Sequence, residues 1–488
     1  MSALVWLSAR NVLLAGEAWL GDRLTEQIRA HHTRRLRRLG SSGALDAPPG
    51  GWANGDPPPR RGNGIEILID GARALPVIAE ELQHAQSHIH LTGWYFSPQF
   101  ALRRDREPLV LRNLLAELAE RIDVRVLAWA GAPLPLFRPS RRDVRRMRKR
   151  LTRGTKIRCA LDAKERLLHC HHEKTIVVDD RVAFVGGIDL TTEAGDRFDT
   201  SRHEARAEVG WHDVCARIEG PAVADVADHF RLRWHEVTGE SLPRMSTPEP
   251  AGELELQIVR TVPERVYRAL PRGDFRVLES YVRALRAADR FVYLENQFLW
   301  SPEIAEILLE KIENPPRDDF RLLVLLPAKP NSGNDDTRGV LAELIEADRD
   351  GGRVLACTLY ARSGRVFDPV YVHAKIAIVD DEWLTLGSAN LNEHSLFNDT
   401  EMNVVVRDRA LAARTRVALW AEHLELPPDG IPSEPVAAIE NLWKPISAEQ
   451  LARRTDGRPL THRLVRLPHV SRRTSRALGP ISGLFVDG

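Results

Sequence analysis

Hydrophobic and polar positions change period repeatedly along this chain. Ile65-Glu66-Ile67-Leu68-Ile69 is a short, mostly apolar run of strand length, Ala72 to Gln86 takes up a helical period, and His88 to Phe96 returns to a β-branched and aromatic run. A helix from Leu109 to Arg121 and a strand at Val124-Arg125-Val126-Leu127 follow. Strands alternating with helices predict an α/β sheet protein. The pattern then begins again. Leu254 to Val259 reads like the first strand, Phe291 to Leu294 like Ile89 to Leu91, and Arg321 to Leu325 like Arg125 to Leu127. Equivalent positions lie 203 residues apart at Leu91 and Leu294, and 201 apart at His172 and His373. A repeat so nearly in step predicts a duplicated domain, each copy a mixed β-sheet flanked by helices, with a pseudo-two-fold axis between the copies.

Breaks in the pattern suggest the boundaries. Residues 1–40 form an N-terminal helical segment, apolar first and basic at Arg34-Arg35-Leu36-Arg37-Arg38; packing on the domain is favoured over lying on an anionic membrane. A Pro- and Gly-rich linker over 41–63, a first domain over 64–240, a second linker over 241–252 and a second domain over 253–424 follow. Residues 425–488 carry scattered Pro and Arg without sustained periodicity, which predicts a partly ordered tail. The basic run between Arg138 and Arg153 reads as a solvated helix face. Thr191 to Gly210 is polar, irregular and without a counterpart of that length in the second half, so a place on an active-site rim is expected.

Composition narrows the class. At 488 residues, with 43% hydrophobic and 28% charged side chains, wholesale disorder is excluded and two or more cores are feasible. A net charge of +1 gives no reason to expect nucleic acid as a partner. The four cysteines, Cys159, Cys170, Cys215 and Cys357, show no metal-binding framework, so zinc is not expected and reduced thiols are. No apolar run approaches membrane-spanning length, and Met1 to Leu7 lacks the basic start of a signal peptide. A cytoplasmic location, peripheral at the inner membrane face, is the expectation.

The chemistry concentrates in two stretches. His172-Glu173-Lys174 leads through a β-branched run to Asp179 and then Gly186-Gly187-Ile188-Asp189; His373-Ala374-Lys375 leads through a similar run to Asp380 and then Gly387-Ser388-Ala389-Asn390. On a strand, each His would share a face with its Lys, whereas Asp179 and Asp380 fall on the opposite parity and read as structural groups at a strand end. An imidazole acts as nucleophile or proton donor near neutral pH, and a Lys ammonium sits well beside developing negative charge. One such pair is weak, because short patterns recur by chance; two with matching flanks are not. His169 and His171, of opposite parity to His172, read as structural or rim residues.

These stretches resemble the phospholipase D superfamily, defined by paired HxKx4D motifs with trailing GGxD or GSxN. The likeness runs from about Ile65 to about Leu424, and three further stretches sharpen it towards phospholipase D type phosphodiesterases: Trp211-His212-Asp213-Val214 with Glu219-Gly220-Pro221-Ala222, Tyr293-Leu294-Glu295-Asn296-Gln297-Phe298, and Asn398-Asp399-Thr400-Glu401. The resemblance implies an active site at the interface of the copies, with catalytic His172, Lys174, His373, Lys375, Asp213 and Glu401. It implies Asp213 as partner of His172, Glu401 as partner of His373, and His172 as nucleophile, although two such similar halves leave the order of the histidines open. Asn390, Asp189, Ser388 and Gly187 would meet the substrate, Asp189 by holding Lys174 rather than phosphate. Trp94, Tyr95, Phe298 and Trp300 line either the mouth for acyl chains or the core, the core being favoured.

The expected activity is cleavage or transfer of the phosphatidyl group of a glycerophospholipid through a phosphohistidine. Water or an alcohol would be the acceptor, with no cofactor or metal, in a monomer working at a membrane surface. The alternatives are a cardiolipin synthase-like phosphatidyltransferase, a superfamily nuclease, and an inactive lipid-binding scaffold. The complete motifs argue against the scaffold, and the pairing of both copies in one chain against the nuclease. Against the synthase stand the lack of N-terminal membrane spans and the stretch from Tyr293 to Gln297.

Overall fold

The computed structural model describes Arg23 and residues 25–134, 138–244, 247–329, 334–349, 351–363 and 366–468. Residues 1–22 of the expected N-terminal segment and 469–488 of the expected tail lie outside them.

The first half contributes β1 (Arg60–Ile69), β2 (His88–Gly93), β3 (Asp123–Trp129), β4 (Arg158–Asp162), β5 (Thr175–Val178), β6 (Val182–Gly186) and β7 (Val214–Glu219). Their order across the sheet is β4-β3-β2-β5-β6-β7-β1, with β2, β3 and β4 parallel and every other neighbour antiparallel. The second half contributes β8 (Leu254–Val262), β9 (Phe291–Glu295), β10 (Arg321–Leu325), β11 (Val354–Ser363), β12 (Ile376–Val379), β13 (Trp383–Gly387) and β14 (Glu401–Val406). These repeat the ladder strand for strand as β11-β10-β9-β12-β13-β14-β8, in the same directions. The halves join where β1 pairs antiparallel with β8, Asn63 opposite Leu254, so one mixed sheet runs through both.

Parallel neighbours need crossovers, which place helices on the sheet faces. Helices α1 (Gly71–Gln83), α2 (Leu111–Leu118) and α3 (Arg141–Thr152) share a core with one face of the first half. Helix α3 starts with a Ser140–Asp143 capping box, buries Val144, Met147 and Leu151, and leaves its arginines outward, so the basic run is a solvated face. Between β7 and β8 lies α4 (Val223–Thr238); α5 (Arg276–Ala287) and α6 (Pro302–Glu313) cover one face of the second half, while α7 (Asn334–Asp348) precedes β11 and α8 (Arg409–Leu424) follows β14. The opposite faces of the two halves share a third core, with α4 and α8 packed into it. That shared core fixes how the halves meet.

Three expectations about the flanks need correction. Residues 41–59, read as a linker, lie against the second half: Ala44, Ala47 and Ala53 are buried and the Ala53 amide donates to Gln257. Strand β1 begins at Arg60, five residues before the apolar run, because its leading residues pair with β8. The stretch from residue 425 is not merely a tail, since it forms α9 (Lys444–Thr455) and β15 (Leu464–Arg466), which pairs with the edge strand β11. Fully buried Trp443 packs 5.6 Å from Trp420 and 6.1 Å from Tyr293. A few large aromatics and a covered sheet edge order this segment without a repeating pattern. The described part of the N-terminal segment, a helix over 25–39, packs on the second half through Leu36 and the His32–Glu303 and Arg35–Glu264 contacts. No helix among the described residues is long and apolar enough to cross a membrane.

Candidate active site

Neither His-x-Lys stretch is itself a strand. Strands β5 and β12 begin one residue after the lysines, and the stretches before them are extended segments stitched to the other half of the molecule. The amides of His172 and Glu173 donate to the carbonyl of Thr400 at 3.0 and 2.9 Å, and those of His373 and Ala374 donate to the carbonyl of His212 at 2.8 and 3.1 Å. The residue after each accepting carbonyl is an acid: Glu401 at the start of β14, Asp213 just before β7. Each motif is thereby delivered to the carboxylate of the opposite half.

The pairings expected from the resemblance are therefore exchanged. His172 Nδ1 lies 3.0 Å from Glu401 Oε1, and His373 Nδ1 lies 2.7 Å from Asp213 Oδ2. The β-bridge geometry decides this, because a carbonyl that accepts from the amide of a histidine sets the next side chain of its own segment beside that ring. With Nδ1 engaged by a carboxylate, the tautomer is set and Nε2 is the atom for chemistry. All four side chains are buried.

Two expected substrate contacts instead serve the acids. Ser388 Oγ donates to Glu401 Oε2, and Ser395 donates to Oε1 of the same carboxylate. Gly187 provides room for Asp213, since a Cβ there would sit 2.1 Å from Asp213 Oδ1. The other two lie beside the lysines. Asp189 lies 3.4 Å from Lys174 Nζ, and Asn390 shares Gln297 Oε1 with Lys375, at 3.3 and 3.1 Å. Asp179 and Asp380 stand outside this cluster. Each has positive φ and accepts three consecutive amides, Gln86 to His88 for Asp179 and Asp289 to Phe291 for Asp380, at 2.7–2.9 Å. They fasten the ends of β5 and β12 to the starts of β2 and β9.

The lysine-histidine groups of both halves share one electrostatic neighbourhood. Burial, then Lys375, Lys174, Arg197 and His172 in that order, hold the His373 imidazole well below its ordinary value. Burial lowers Lys375 to about 7 against the pull of Asp213, with Lys174 adding to the fall. Burial raises Asp213 to about 7 and Glu401 well above the usual carboxylate range, opposed by Lys375 at Asp213 and by Lys174 at Glu401. A concentration of buried cations with carboxyls half disposed to hold protons is a site built for an anion.

Sequence reasoning passed over Arg197 and the individual roles of Gln297 and Trp211. Arg197 comes from the irregular Thr191–Gly210 stretch, donates to the carbonyl of Gly195 at 2.7 Å, and lays its guanidinium 3.4 Å from the centre of the Trp211 ring. Trp211 in turn packs 4.4 Å from His373. An arginine in a loop without periodicity leaves no signal for this. His171 is enclosed 3.1 Å from Asp162, while His169 is partly exposed 3.0 Å from His394. Phe298 is fully buried and Trp94 nearly so, stacked on Trp129; Tyr95 and Trp300 are partly exposed. Tyr95 and Phe96 line a cleft beside Lys174 and Asp189.

Comparisons with known proteins show what the chain is similar to. Residues 283–421 match the family model described as "Cardiolipin synthase, PLD-like domain". Phospholipase D A of Dictyostelium discoideum is 24% identical over 459 residues, covering 75% of this chain and 36% of that protein. Phospholipase D alpha 4 of Arabidopsis thaliana is 24% identical, covering 71% of this chain and 62% of its own length. The chain thus spans about a third of the first of these relatives and under two thirds of the second. Among solved structures, the phosphatidylserine synthase of Haemophilus influenzae shares the fold, with a TM-score of 0.51 at 15% identity over 73% of this chain and 84% of that one. Paired motifs, crossed His–carboxylate dyads and relatives that span both halves make this chain a member of the phospholipase D superfamily, with a catalytic arrangement suited to phosphodiester transfer.

Proposed function

We propose that the chain transfers the phosphatidyl group of a glycerophospholipid to an alcohol, through a phosphohistidine, with water as the competing acceptor. One observation carries the reading: two histidines, each held at Nδ1 by a carboxylate of the opposite half, share a buried cluster with Lys174, Lys375 and Arg197. Three cations there offset a phosphodiester's charge and the charge that builds on its oxygens during displacement. His172 Nε2 attacks phosphorus and the alcohol leaves with a proton from His373 Nε2; His373 then takes a proton from the acceptor, which attacks the phosphohistidine and releases His172.

The acid step fits the electrostatics. Burial and cationic neighbours keep His373 neutral, and a phosphodiester anion offsets Lys174, Lys375 and Arg197, so His373 gains its proton as substrate binds. The centre is charged for catalysis only when loaded. Burial of the histidines and lysines limits water at the phosphohistidine, which favours an alcohol bound with the lipid. The description of the matching family model and the fold shared with a phosphatidylserine synthase lend support to transfer. Hydrolysis is the second reading, supported by relatives named phospholipase D.

The test incubates the purified chain with phosphatidylcholine or phosphatidylglycerol vesicles, with and without glycerol or ethanol. Exchange predicts a new phosphatidyl alcohol in excess over phosphatidate, and a phosphate label trapped on the peptide containing His172. Phosphatidate alone at saturating alcohol would convert the assignment to hydrolysis, and label on the His373 peptide would reverse the order of the histidines. No turnover of any phospholipid would overturn the reading.

A further inference from the structure

Beneath the His373–Asp213 dyad lies a second cluster that the proposed chemistry does not use. Asp70 at the end of β1, His203 in the Thr191–Gly210 stretch, His212 and Glu422 of α8 each aim one donor atom at a common point, all four atoms within 4.8 Å of one another. His203 and His212 are fully buried, Asp70 almost so, and Glu422 exposes only 7% of its side chain. From these residues we infer a binding site for one zinc-class divalent metal ion, coordinated by His203 Nε2, His212 Nδ1, Asp70 and Glu422.

Three observations carry the assignment. The first is spacing. His212 Nδ1 lies 2.9 Å from Asp70 Oδ1 and 3.3 Å from Glu422 Oε1; His203 Nε2 lies 3.1 Å from Glu422 Oε1 and 3.8 Å from Asp70 Oδ2. A tetrahedron with metal–ligand bonds of about 2.0–2.1 Å has edges of about 3.3 Å, which these distances bracket.

The second observation concerns the far side of each ring. His203 Nδ1 is 2.9 Å from Asp199 Oδ2, and His212 Nε2 is 2.8 Å from Glu295 Oε2. Metal-bound imidazoles donate their remaining N–H to a carboxylate in this way, which fixes the tautomer and strengthens the ligand. Here both rings do so, with carboxylates separate from the two at the centre. The third is an orphan: Asp70 Oδ2 has no hydrogen-bond partner although the residue is 1% exposed, and it faces His203 across 3.8 Å. A buried carboxylate oxygen without a donor is costly unless a cation accepts it.

The ion would tie the end of β1, the long irregular stretch with the His212 segment that follows it, and α8 from the second half. It also braces the catalytic dyad. The Asp70 amide donates to the Asp213 carbonyl at 2.8 Å, the Asp213 amide donates to Asp70 Oδ1 at 3.2 Å, and the His373 amide donates to the His212 carbonyl at 2.8 Å. The absence of a cysteine framework does not speak against it, because every donor is imidazole or carboxylate and no two are adjacent in sequence.

Two protonated imidazoles are the other way to neutralise these carboxylates, and the experiment separates the two. The full chain, purified at neutral pH, is assayed for metal by elemental analysis, then stripped with a chelator and titrated with Zn2+ or Co2+ while Tm and the visible spectrum are followed. The expected result is one equivalent of metal per chain, a Tm that falls on stripping and recovers on addition, and the visible band of tetrahedral Co2+. His203→Gln and Glu422→Gln, checked for folding by circular dichroism, should lose the equivalent and the band. If the stripped wild type takes up no ion, shows no band and keeps its Tm, the site is an ion-pair network and the proposal is wrong. Tm recovery that persists in both variants would place the ion elsewhere and also overturn it. None of these readouts depends on phospholipid turnover, so they stand apart from the proposed function.

Discussion

The two His–carboxylate dyads come from the same strand ladder but do not share the same surroundings. At His172 the nearby lysine, Lys174, faces a carboxylate, Asp189, and the partner acid Glu401 is steadied by Ser388 and Ser395. At His373 the nearby lysine, Lys375, faces the neutral amide of Gln297, which also accepts from Asn390, and the ring packs on Trp211 beneath Arg197. At the second dyad burial, with Lys375, Lys174 and Arg197 adding to it, holds His373 well below its ordinary value, and burial lowers Lys375 to about 7. Duplication supplied the geometry twice; single substitutions such as Asp189 against Asn390, and one unmatched loop, made the copies electrostatically unequal. In the proposed reaction one ring attacks while the other manages protons, a division that unequal surroundings suit.

The hardest way to break this comparison is to remove either ring. His172→Ala and His373→Ala should each lower phosphatidyl transfer by about 10²–10⁴-fold or more, and the double variant should be no worse than the worse single one. Steady-state turnover with circular dichroism as a folding control checks this; His373→Ala with half the wild-type rate would end the two-histidine account.

Removing the partner acids should cost less and test the crossing of the halves. Asp213→Asn and Glu401→Gln should each reduce kcat by about 10²-fold, through loss of the fixed tautomer rather than of the ring. The tautomer can be read by ¹⁵N NMR of the imidazoles: Asp213→Asn should disturb His373 and leave His172 in place, and the reverse pattern would restore the uncrossed pairing.

The inequality itself is sharpened by pH. Lys375 holds phosphate only while protonated, and burial lowers it to about 7, so kcat/KM should be largest below that value and fall as pH rises through it. Lys375→Arg stays charged and should flatten that fall across pH 7–9 even if its rate is lower. A profile unchanged by the substitution would show that another group sets the limit.

The smallest expected effect concerns a brace on the second half. His32, on the helix over 25–39, contacts Glu303 at 2.6 Å and Glu393 at 3.3 Å and stacks 3.8 Å from Phe397, close to the segment carrying Glu401. Burial works against its charge, but hydrogen bonds to the two glutamates outweigh it and raise His32 to about 9. A raised folded-state value means the contact stabilises fully below the unfolded value of about 6.5 and is lost as pH rises through the folded one. His32→Asn should therefore lower stability by about 1–3 kcal/mol at pH 6, with a gap from wild type that shrinks towards pH 9. Denaturant titration at both pH values checks it, and a gap independent of pH would leave only packing.

Much of this was legible in one dimension. Repeating periods fixed the α/β class and the duplication, since burial imposes period 2 on strands and 3.6 on helices wherever a sheet packs. Paired His-x-Lys stretches marked the candidate reactive side chains, whereas Asp179 and Asp380 stand apart because they lie in turns just past the ends of β5 and β12, not because of strand parity. Which acid meets which histidine depends on contacts between residues 229 apart for His172 and 160 apart for His373, and no local pattern records that. Only the tertiary structure decided it, as it decided that Gly187 and Ser388 attend the carboxyls. It also brought Arg197 to His373 and gathered Asp70, His203, His212 and Glu422 around one point. Periodicity reports which face of an element is buried, whereas long-range contacts among polar side chains depend on how separate elements are packed together.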